Sequence, residues 1–321
     1  MKQLNRNISD VARKIKREFP KICRLNEPLA SYTTYQVGGP ADAFVVPENI
    51  EQLEQVVRIC GQARVPCFIL GKGANILIHD EGFRGVVVAL EKCCNQLFHE
   101  DELLYVGTGV TVQSLVEYCE ENGLGGLEYM SGIPGTVGGA LTMNAGAFVG
   151  EIGDRVIRVD ALNEKGQRVQ ISKDEAQFGY RRADGLSGKI LLGCWIVVEL
   201  HDPKKLAAAR EEYLERRARR QPLEFPSCGS VFKRPEGDYA GRLIETAGAK
   251  GMSIGGAKVS EKHANFILNF NRASARDIYE LIRAVRKKVY DSSGIWLEPE
   301  VKFVGFSEEE RNKVLEPDEE A

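Results

Sequence analysis

The sequence predicts a protein of mixed helices and strands, divided into two or three domains. A length of 321 residues allows that number of domains. The sequence predicts a strand at 43–46, a helix at 49–63 and a strand at 67–70. The helix is indicated by apolar residues that repeat at helical spacing. Short links between such segments are typical of a βαβ unit. Hydrophobic residues make up 43% of the chain and charged residues 28%, which is enough apolar material for a substantial core.

Charge and patterning exclude several classes of protein. The chain has 43 Lys and Arg against 46 Asp and Glu, and this formal net charge of −3 argues against general nucleic-acid binding. No apolar run approaches the length of a membrane span, and residues 1–21 lack the apolar region of a secretory signal. We therefore expect neither a membrane span nor a leader.

Eight scattered cysteines without a C-x-x-C pair, together with only four histidines, argue against a metal site. Thiols of this kind fit the reducing cytoplasm, which we expect to be the location of the protein. Two groups of cysteines are distinguished by their surroundings. Cys60, Cys67, Cys119 and Cys194 lie in apolar runs and are predicted to be core residues, whereas Cys93 and Cys94 adjoin each other in a polar stretch and could be exposed.

The remaining elements are predicted from the same patterns. Residues 1–27 suggest a basic amphipathic helix, which could pack on the body of the protein or, as the less favoured alternative, bind a membrane surface. Its apolar stripe consists of Ile8, Val11, Ile15 and Phe19. Further strands are predicted at 85–90, 103–107, 155–162, 167–171 and 190–200, and further helices near 111–122 and at 204–220.

The C-terminal part of the chain has clear helix signals. Helix 204–220 is strongly basic and is interpreted as a connector, with charges that either form a solvated face or attract an anionic ligand. A capping box at Ser274 and Asp277 begins a long helix, and Gly294 ends it. The tail 307–321 has seven acidic and two basic residues, and we expect it to be disordered.

Two glycine-rich segments indicate a bound anion. The turn at 71–75 follows strand 67–70 directly and could expose backbone N–H groups, although an ordinary turn explains it equally well. It matches neither a Walker A loop nor G-x-G-x-x-G. The segment 131–140 is the densest in glycine. A helix starting at 137–139 would place free N–H groups against a phosphate, so a phosphate-bearing cofactor is favoured over purely structural turns.

Three polar segments have the residue types of a catalytic site. They are FGYRR at 178–182, SCGSVFKRP at 227–235 and LEPEV at 297–301. Each also fits an ordinary structural role, namely a surface arginine pair, a turn serine and a capping or ion-paired carboxylate. The absence of G-x-S-x-G argues against a serine hydrolase.

Taken in order, these segments resemble the UDP-N-acetylenolpyruvoylglucosamine reductase family. The matching stretches, which span residues 32–305, are YTTYQVGGPAD, LGKGANIL, SGIPGTVGGALTMNAGAF, FGYR, GSVFKRP, GRLIETAGAKG, GGAKVSEKHANFILN and LEPEVKFVG. The resemblance implies an α+β protein with a two-part FAD-binding fold of the vanillyl-alcohol-oxidase type, followed by an α+β substrate-binding domain. The expected boundaries are 1–72 and 73–206 for the two FAD-binding subdomains, 207–306 for the substrate domain and 307–321 for the tail.

The resemblance also implies the cofactor and its binding residues. FAD would be held without a covalent bond, since Lys72 stands where some relatives of this fold carry an attaching His or Cys. NADPH would be the co-substrate, and no metal is expected. The implied FAD-binding residues are Gly71, Lys72, Gly73, Ala74, Asn75, Ser131, Gly132, Pro134, Gly135, Thr136, Gly138, Gly139, Asn144 and Ala145.

The catalytic residues implied by the resemblance are Arg181, Ser230 and Glu300. The expected reaction reduces the enolpyruvyl ether of a UDP-sugar to UDP-N-acetylmuramate for peptidoglycan synthesis. Arg181 would stabilise negative charge, Ser230 would protonate the α-carbon, and Glu300 would be protonated or hold Arg181 or a water. Part of the family has an extra loop with a substrate-covering Tyr between the first two positions, and this chain resembles the branch without it.

Substrate binding is expected at Tyr180, Lys233, Arg234, Lys258, His263 and Asn265. We expect no nucleic-acid partner and a monomer or weak oligomer. Two other functions stay open from the sequence: an oxidase on the same FAD fold that passes electrons to oxygen, and a nucleotide-binding regulator without catalysis.

Overall fold

The computed structural model describes residues 2–316. The helices are α1 Lys2–Glu18, α2 Ile50–Ala63, α3 Val112–Glu121, α4 Val137–Thr142, α5 Ile152–Arg155, α6 Lys173–Ala176, α7 Pro203–Arg220, α8 Ala240–Thr246, α9 Ala275–Ser293 and α10 Glu308–Leu315. Helices α2, α3, α7 and α9 begin and end within a few residues of the positions expected from the sequence.

The strands are short and numerous. They are β1 Cys23–Pro28, β2 Pro40–Val45, β3 Cys67–Leu70, β4 Ile76–Ile78, β5 Phe83–Ala89, β6 Leu97–Glu100, β7 Leu103–Gly107, β8 Leu124–Gly125, β9 Gly146–Ala147, β10 Gly150–Glu151, β11 Val156–Leu162, β12 Arg168–Ser172, β13 Phe178–Gly179, β14 Arg182–Ala183, β15 Ile190–Val197, β16 Glu199–Leu200, β17 Ser253–Ile254, β18 Ala257–Val259, β19 Ile267–Asn269 and β20 Lys302–Val304.

The chain forms two compact units, and both are discontinuous in sequence. The first contains the residues up to 26 together with 42–72 and 85–217, and the second contains 27–41, 73–84 and the residues from 218 onward. The expectation of contiguous domains is therefore wrong. The physical reason is burial: Tyr35 and Leu77, both completely buried, belong to the core of the second unit although they come from the first quarter of the chain.

The first unit holds two apolar cores. One lies around α1, α2 and a sheet of order β1-β2-β5-β3, in which β3 and β5 are parallel. Because β5 stands between β2 and β3, the two strands of the expected βαβ unit are not neighbours. The other core lies around α3, α4 and an antiparallel sheet of order β12-β11-β15-β7-β6.

The first helix packs on the body of the protein, as favoured from its sequence. Ile8, Val11 and Ile15 are all buried in the first of these cores. The helix ends at Glu18 rather than at residue 27, because the following segment turns into β1. Its apolar stripe is thus covered by protein and is not a membrane-binding surface.

The second unit is built on α8, α9 and the small antiparallel sheet β17-β18-β19. Strand β4 pairs in parallel with β20, so the segment 73–84 is tied to the C-terminal strand. The N-terminus of α9 has two caps. Ser274 and Asp277 form the predicted capping box, and the Asp80 carboxylate accepts hydrogen bonds from the N–H groups of Ala275 and Arg276.

Two further expectations are wrong. Residues 308–315 of the acidic tail form α10, because Ser307 and Glu310 make a capping box and Val314 is completely buried; residues 317–321 of that tail lie outside the described part. Cys93 and Cys94 are buried at 2% and 0% exposure, since the polar stretch around them folds against the first core. Among the described residues, no helix is both long and apolar enough to cross a bilayer.

Candidate active site

The two glycine-rich segments adjoin each other in the first unit. Gly71 follows β3 directly, and a Cβ atom at this position would lie 2.5 Å from Oγ1 of Thr136. Such a distance is shorter than real contacts allow, so only glycine permits this approach. The turn at Gly71 and Lys72 and the loop around Thr136 therefore form one continuous surface, as one shared ligand would require.

The helix that follows the glycine loop does start where expected, at Val137. Its N–H groups are not free, however, and that part of the expectation is wrong. The N–H groups of Val137 and Gly138 donate to the backbone oxygens of Val110 and Thr108, and that of Gly139 to Oγ1 of Thr136. An anion here must be bound by other groups of the loop.

Asn144, which the sequence assigns to FAD, has its side chain engaged by protein groups. Its Nδ2 donates to Oε2 of Glu151 at 2.6 Å and to the backbone oxygen of Gly179 at 3.1 Å. Its Oδ1 accepts a hydrogen bond from the N–H of Gly153. The residue is 3% exposed. The amide thus joins the hairpin that contains Arg181 to the segment that contains Glu151.

Arg181 stands in a tight turn between β13 and β14. Its φ of 56° lies in the left-handed region, which costs a non-glycine residue about 1–2 kcal/mol. Its Nη2 donates to the backbone oxygen of Gly146 at 3.2 Å, and its Nη1 lies 3.6 Å from Oε1 of Glu151. Strain of this kind is typical of functional sites. The surrounding contacts therefore fix the guanidinium in one position.

Glu151 is the acidic partner in this network. Partial burial raises its pKa, and the nearby Asp154 carboxylate adds to the increase, while Arg181 and the amide of Asn144 act in the opposite direction. The net effect is a raised pKa.

Ser230 and Glu300 are brought together in the second unit. The segment that contains Ser230 pairs on one side with Phe266 and on the other with the segment 298–301. The N–H of Glu300 donates to the backbone oxygen of Val231 at 2.7 Å. A Cβ atom at Gly229, whose φ is +80°, would meet nothing within 4 Å. There is thus open space directly beside the serine.

The amide of Asn265 fixes the position of this serine-bearing segment. It accepts a hydrogen bond from the N–H of Phe232 at 3.0 Å and donates to the backbone oxygen of the same residue at 2.9 Å. Asn265 is 7% exposed. The bonds that the structure shows for this amide are therefore structural, and contact with substrate stays a prediction.

Part of the predicted FAD turn belongs to the second unit. Nδ2 of Asn75 donates to the backbone oxygen of Glu300 at 3.2 Å, and the N–H of Lys302 donates to the backbone oxygen of Asn75 at 3.0 Å. Gly73 has a φ of +58° and lies against the backbone of Thr33. The turn at 73–75 therefore supports the segment that contains Glu300 and leads into β20.

The two glutamates of the LEPEV segment differ clearly. Glu298 is exposed and forms an ion pair with Lys233 at 2.6 Å. Glu300 is half-buried beside the serine segment. Lys302, which is exposed, interacts electrostatically with Lys233. Two basic side chains therefore lie near this segment, which suits an anionic ligand.

The other predicted substrate residues are spread over both units. Tyr180 is 49% exposed in the first unit, with the guanidinium carbon of Arg181 5.0 Å from its ring centroid. In the second unit, Arg234 lies over the ring of Tyr239 and Lys258 pairs with Glu261 at 2.6 Å. Burial lowers the pKa of His263.

Cys228 is an alternative proton donor two residues from Ser230. It is 4% exposed, and burial raises its pKa to about 12, with a hydrogen bond from Tyr35 acting in the opposite direction and Glu300 adding to the increase. A thiol this deeply buried has little access to a substrate carbon, so its burial, and not its acidity, makes it the poorer donor. The geometry therefore favours the half-buried serine.

Comparison with known proteins gives the family. Residues 41–172 match an FAD binding domain, and residues 221–304 match the C-terminal domain of UDP-N-acetylenolpyruvoylglucosamine reductase. The chain is 42% identical to the UDP-N-acetylenolpyruvoylglucosamine reductase of Caldanaerobacter subterraneus over 283 aligned residues. This alignment covers 88% of this chain and 93% of that protein. The chain belongs to the UDP-N-acetylenolpyruvoylglucosamine reductase family.

Other members of the reductase family are similar over the same length. The UDP-N-acetylenolpyruvoylglucosamine reductase of Listeria innocua is 41% identical over 290 aligned residues. This alignment covers 90% of this chain and 97% of the Listeria protein. The crystal structure of the reductase from Thermus caldophilus aligns with a TM-score of 0.75 at 32% identity and covers 88% of this chain and 98% of that chain. The α+β fold with an FAD-binding part and a family-specific C-terminal domain is thereby confirmed.

Sequence reasoning missed several polar groups that the structure places next to the predicted ones. Glu151 and Lys302 are the clearest, the first paired with Arg181 and the second bound to Asn75 through its backbone. Lys302 occurs inside the matching stretch LEPEVKFVG, whereas Glu151 lies three residues beyond the stretch that ends in AGAF. The sequence does not show that Glu151 pairs with Arg181, because the two residues are far apart along the chain.

Proposed function

We infer that this chain is an FAD-dependent oxidoreductase that uses NADPH to reduce the enolpyruvyl ether of UDP-N-acetylglucosamine-enolpyruvate to UDP-N-acetylmuramate, a step of peptidoglycan precursor synthesis. The observation that carries this inference is membership of the reductase family over 88% of the chain. The side-by-side placement of the Ser230 and Glu300 segments supports it, because protonation of the α-carbon needs a donor held in a defined position.

The glycine-rich surface fits FAD. Bound FAD would accept a hydride from NADPH and pass it to the enolpyruvyl carbon. Gly71 and Thr136 are in contact range of each other, and a Cβ atom at Gly139 would meet only one atom, at 3.8 Å, so there is room for a ligand beside the loop. Lys72, an exposed lysine, offers no covalent attachment of the kind formed by His or Cys. We therefore assign non-covalent FAD to the turn at 71–72 and the loop at 131–139.

Arg181 is assigned to the negative charge that builds up on the substrate carboxylate after hydride transfer. An arginine keeps its charge at any working pH, and its planar group can bind a carboxylate through two hydrogen bonds. The contacts with Gly146 and Glu151 hold it in place before substrate arrives. Such preorganisation is what makes electrostatic stabilisation effective.

Ser230 is assigned as the proton donor to the α-carbon. A hydroxyl is a weak acid, but an enediolate is a strong base, so the transfer is feasible. Glu300, on the adjacent segment, is assigned to orienting the serine or a water, or to acting in its protonated form. A bare carboxylate would otherwise repel the anionic intermediate.

We assign the UDP part of the substrate to the second unit. The charges of Lys233, Arg234, Lys258 and Lys302 suit a diphosphate, and the ion pair between Lys233 and Glu298 is exposed enough to exchange partners. Between Arg181 and Ser230 the chain is occupied by β14, β15, β16 and α7, which supports assignment to the branch without the additional Tyr loop. We also propose a cytoplasmic location, since all eight cysteines are unpaired thiols. We further propose that the protein is a monomer or a weak oligomer.

The test is anaerobic photometry of the purified protein. We expect flavin absorption bands, bleaching by NADPH, and recovery of colour when the enolpyruvyl substrate is added without oxygen. An oxidase would recover its colour only with oxygen, and a nucleotide-binding regulator would purify without flavin bands. Either result would contradict the inference.

A further inference from the structure

A guanidinium is buried in the first unit without a full set of partners. Arg217, near the end of α7, is 8% exposed, although Arg219 and Arg220 on the next turn are exposed. Its Nε donates to the backbone oxygen of Ser131 at 2.6 Å. Its Nη2 is also buried and has no hydrogen-bond partner within residues 2–316. One of its donors therefore has nothing in the described chain to bind.

Burying this donor without a partner costs free energy, because a guanidinium stays protonated and charged under all working conditions. Burial lowers the pKa of Arg217, but the group stays charged. A buried cation with an unsatisfied donor is destabilising unless an anion or an acceptor meets it. The simplest explanation is a partner that the polypeptide does not itself supply.

The surroundings of Arg217 show where that partner would be. Ser131 opens the glycine loop, and Gly132, whose φ is +74°, lies against the arginine side chain; a Cβ atom there would be 2.8 Å from Cδ of Arg217. The ring of Phe148 covers the guanidinium, with its centroid 5.3 Å from the guanidinium carbon. The loop and the ring therefore fix the guanidinium at the glycine-rich surface.

We propose that Arg217 is an anion-binding residue for FAD, with Nη2 donating to a negatively charged group of the cofactor. This rests on the FAD chemistry inferred above. FAD presents negative charge at its diphosphate and, in the reduced state, at the pyrimidine edge of its ring. A guanidinium suits both, so the experiment has to separate them.

The experiment measures binding to the apoprotein of Arg217→Met, with Arg220→Met on the same helix as the matched control. Loss of a charge-assisted hydrogen bond should weaken FAD binding about 10- to 100-fold in Arg217→Met and leave it unchanged in the control. ADP, which has the diphosphate but no flavin, is the second probe. An equal loss of ADP affinity would place Nη2 at the diphosphate. Unchanged ADP affinity with a lower midpoint potential of bound flavin would place it at the ring.

Arg217→Met would overturn the proposal if its FAD affinity, ADP affinity and midpoint potential all equal those of Arg220→Met. Failure of the wild-type chain to bind FAD would instead contradict the inferred function. Far-UV circular dichroism checks the fold of each variant. If Arg217→Met does not fold, Arg217→Gln decides by the same criteria, because it keeps a donor for Ser131 but has no charge.

Discussion

Single side chains in the first unit hold a strained arginine in position. Arg181 adopts a positive φ, and Asn144 binds both Glu151 and the carbonyl of Gly179, one residue before the turn. The hydrogen bonds to Asn144 therefore act on the arginine from both sides, through its acidic partner and through its backbone. In these contacts Asn144, which the resemblance assigns to the cofactor, positions Arg181, the arginine that we propose to be catalytic.

Asn144→Asp tests this network, because it keeps the acceptor for Gly153 but loses both donors. We expect reduction of the enolpyruvyl substrate to slow about 10- to 100-fold, since a misplaced catalytic group costs that much. Flavin content and the rate of flavin reduction by NADPH should stay near wild type. Stopped-flow measurement of the two half-reactions checks this, with Asn312→Ala on exposed α10 as control. Loss of flavin with an intact second half-reaction would favour direct contact with FAD instead.

Ser230→Ala should act only on the second half-reaction. The proton donor is needed after hydride has left the flavin, so flavin binding and reduction by NADPH should be unchanged. Reoxidation by substrate should slow by about 10²–10⁴-fold, the usual range for a lost general acid. Ser227→Ala in the same segment is the matched control, and Ser230→Cys should recover part of the rate. Wild-type reoxidation in Ser230→Ala would contradict the assignment.

The sequence predicts residues that stand within one motif, but it does not predict contacts between residues that are distant along the chain. Arg181, Ser230 and Glu300 stand in motifs that the resemblance identifies one at a time. The contacts between motifs were not predictable, because Asn144 and Gly179, or Asn75 and Glu300, meet only after the sheets have formed. The burial of Arg217 was equally unpredictable, since it is one of seven basic residues in the same helix and no local pattern separates it from the others.

Helix α9 shows how local signals and long-range contacts combine. The capping box at Ser274 and Asp277 and the end at Gly294 were both predictable, because each depends on a few neighbouring residues. The second cap was not predictable, because Asp80 is distant from this helix along the chain. The same contrast explains α10: acidic composition suggested disorder, while the burial of Val314 is decided by the core that it meets.

The Asp277 carboxylate makes the stability of α9 depend on pH. Burial by itself would raise its pKa, but hydrogen bonds from the N–H groups of Ser274 and Gly256 outweigh this, so the pKa is lowered. A carboxyl group with a lowered folded-state pKa stabilises the fold above its unfolded value near 3.9 and loses that effect as pH falls through the folded value.

Asp277→Asn should therefore destabilise the protein by about 1 kcal/mol at pH 7, a typical value for a lost cap. The difference from wild type should begin to shrink below about pH 4, where the carboxyl of the unfolded chain becomes neutral, and disappear once the pH is below the lowered folded-state pKa. Urea unfolding at several pH values measures it, and Asp291→Asn near the other end of the helix is the control. A difference that does not depend on pH would contradict the role of the charge.

The two units have different tryptophans, Trp195 in the first and Trp296 in the second. Each fluorophore therefore reports on one unit when the other is replaced by Phe. This allows a direct test of the discontinuous arrangement, in which Leu77 belongs to the core of the second unit although the expected boundary at residue 72 assigned it elsewhere.

Leu77→Ala should destabilise the second unit by about 2–5 kcal/mol, the usual cost of a buried leucine. We expect the denaturation midpoint seen by Trp296 to fall. Leu200→Ala, at a position that is 68% exposed, should leave it unchanged. A shift seen only by Trp195 would show instead that the segment 73–84 stabilises the first unit.

The pairing of β4 with β20 also has a consequence for synthesis on the ribosome. Ile76–Ile78 is made early, but its parallel partner Lys302–Val304 is made roughly 220 residues later, which at 5–20 residues per second takes roughly 10 to 45 s. During that interval the nascent chain exposes an apolar strand with nothing to cover it. Slower translation would lengthen this exposure, and faster translation would shorten it.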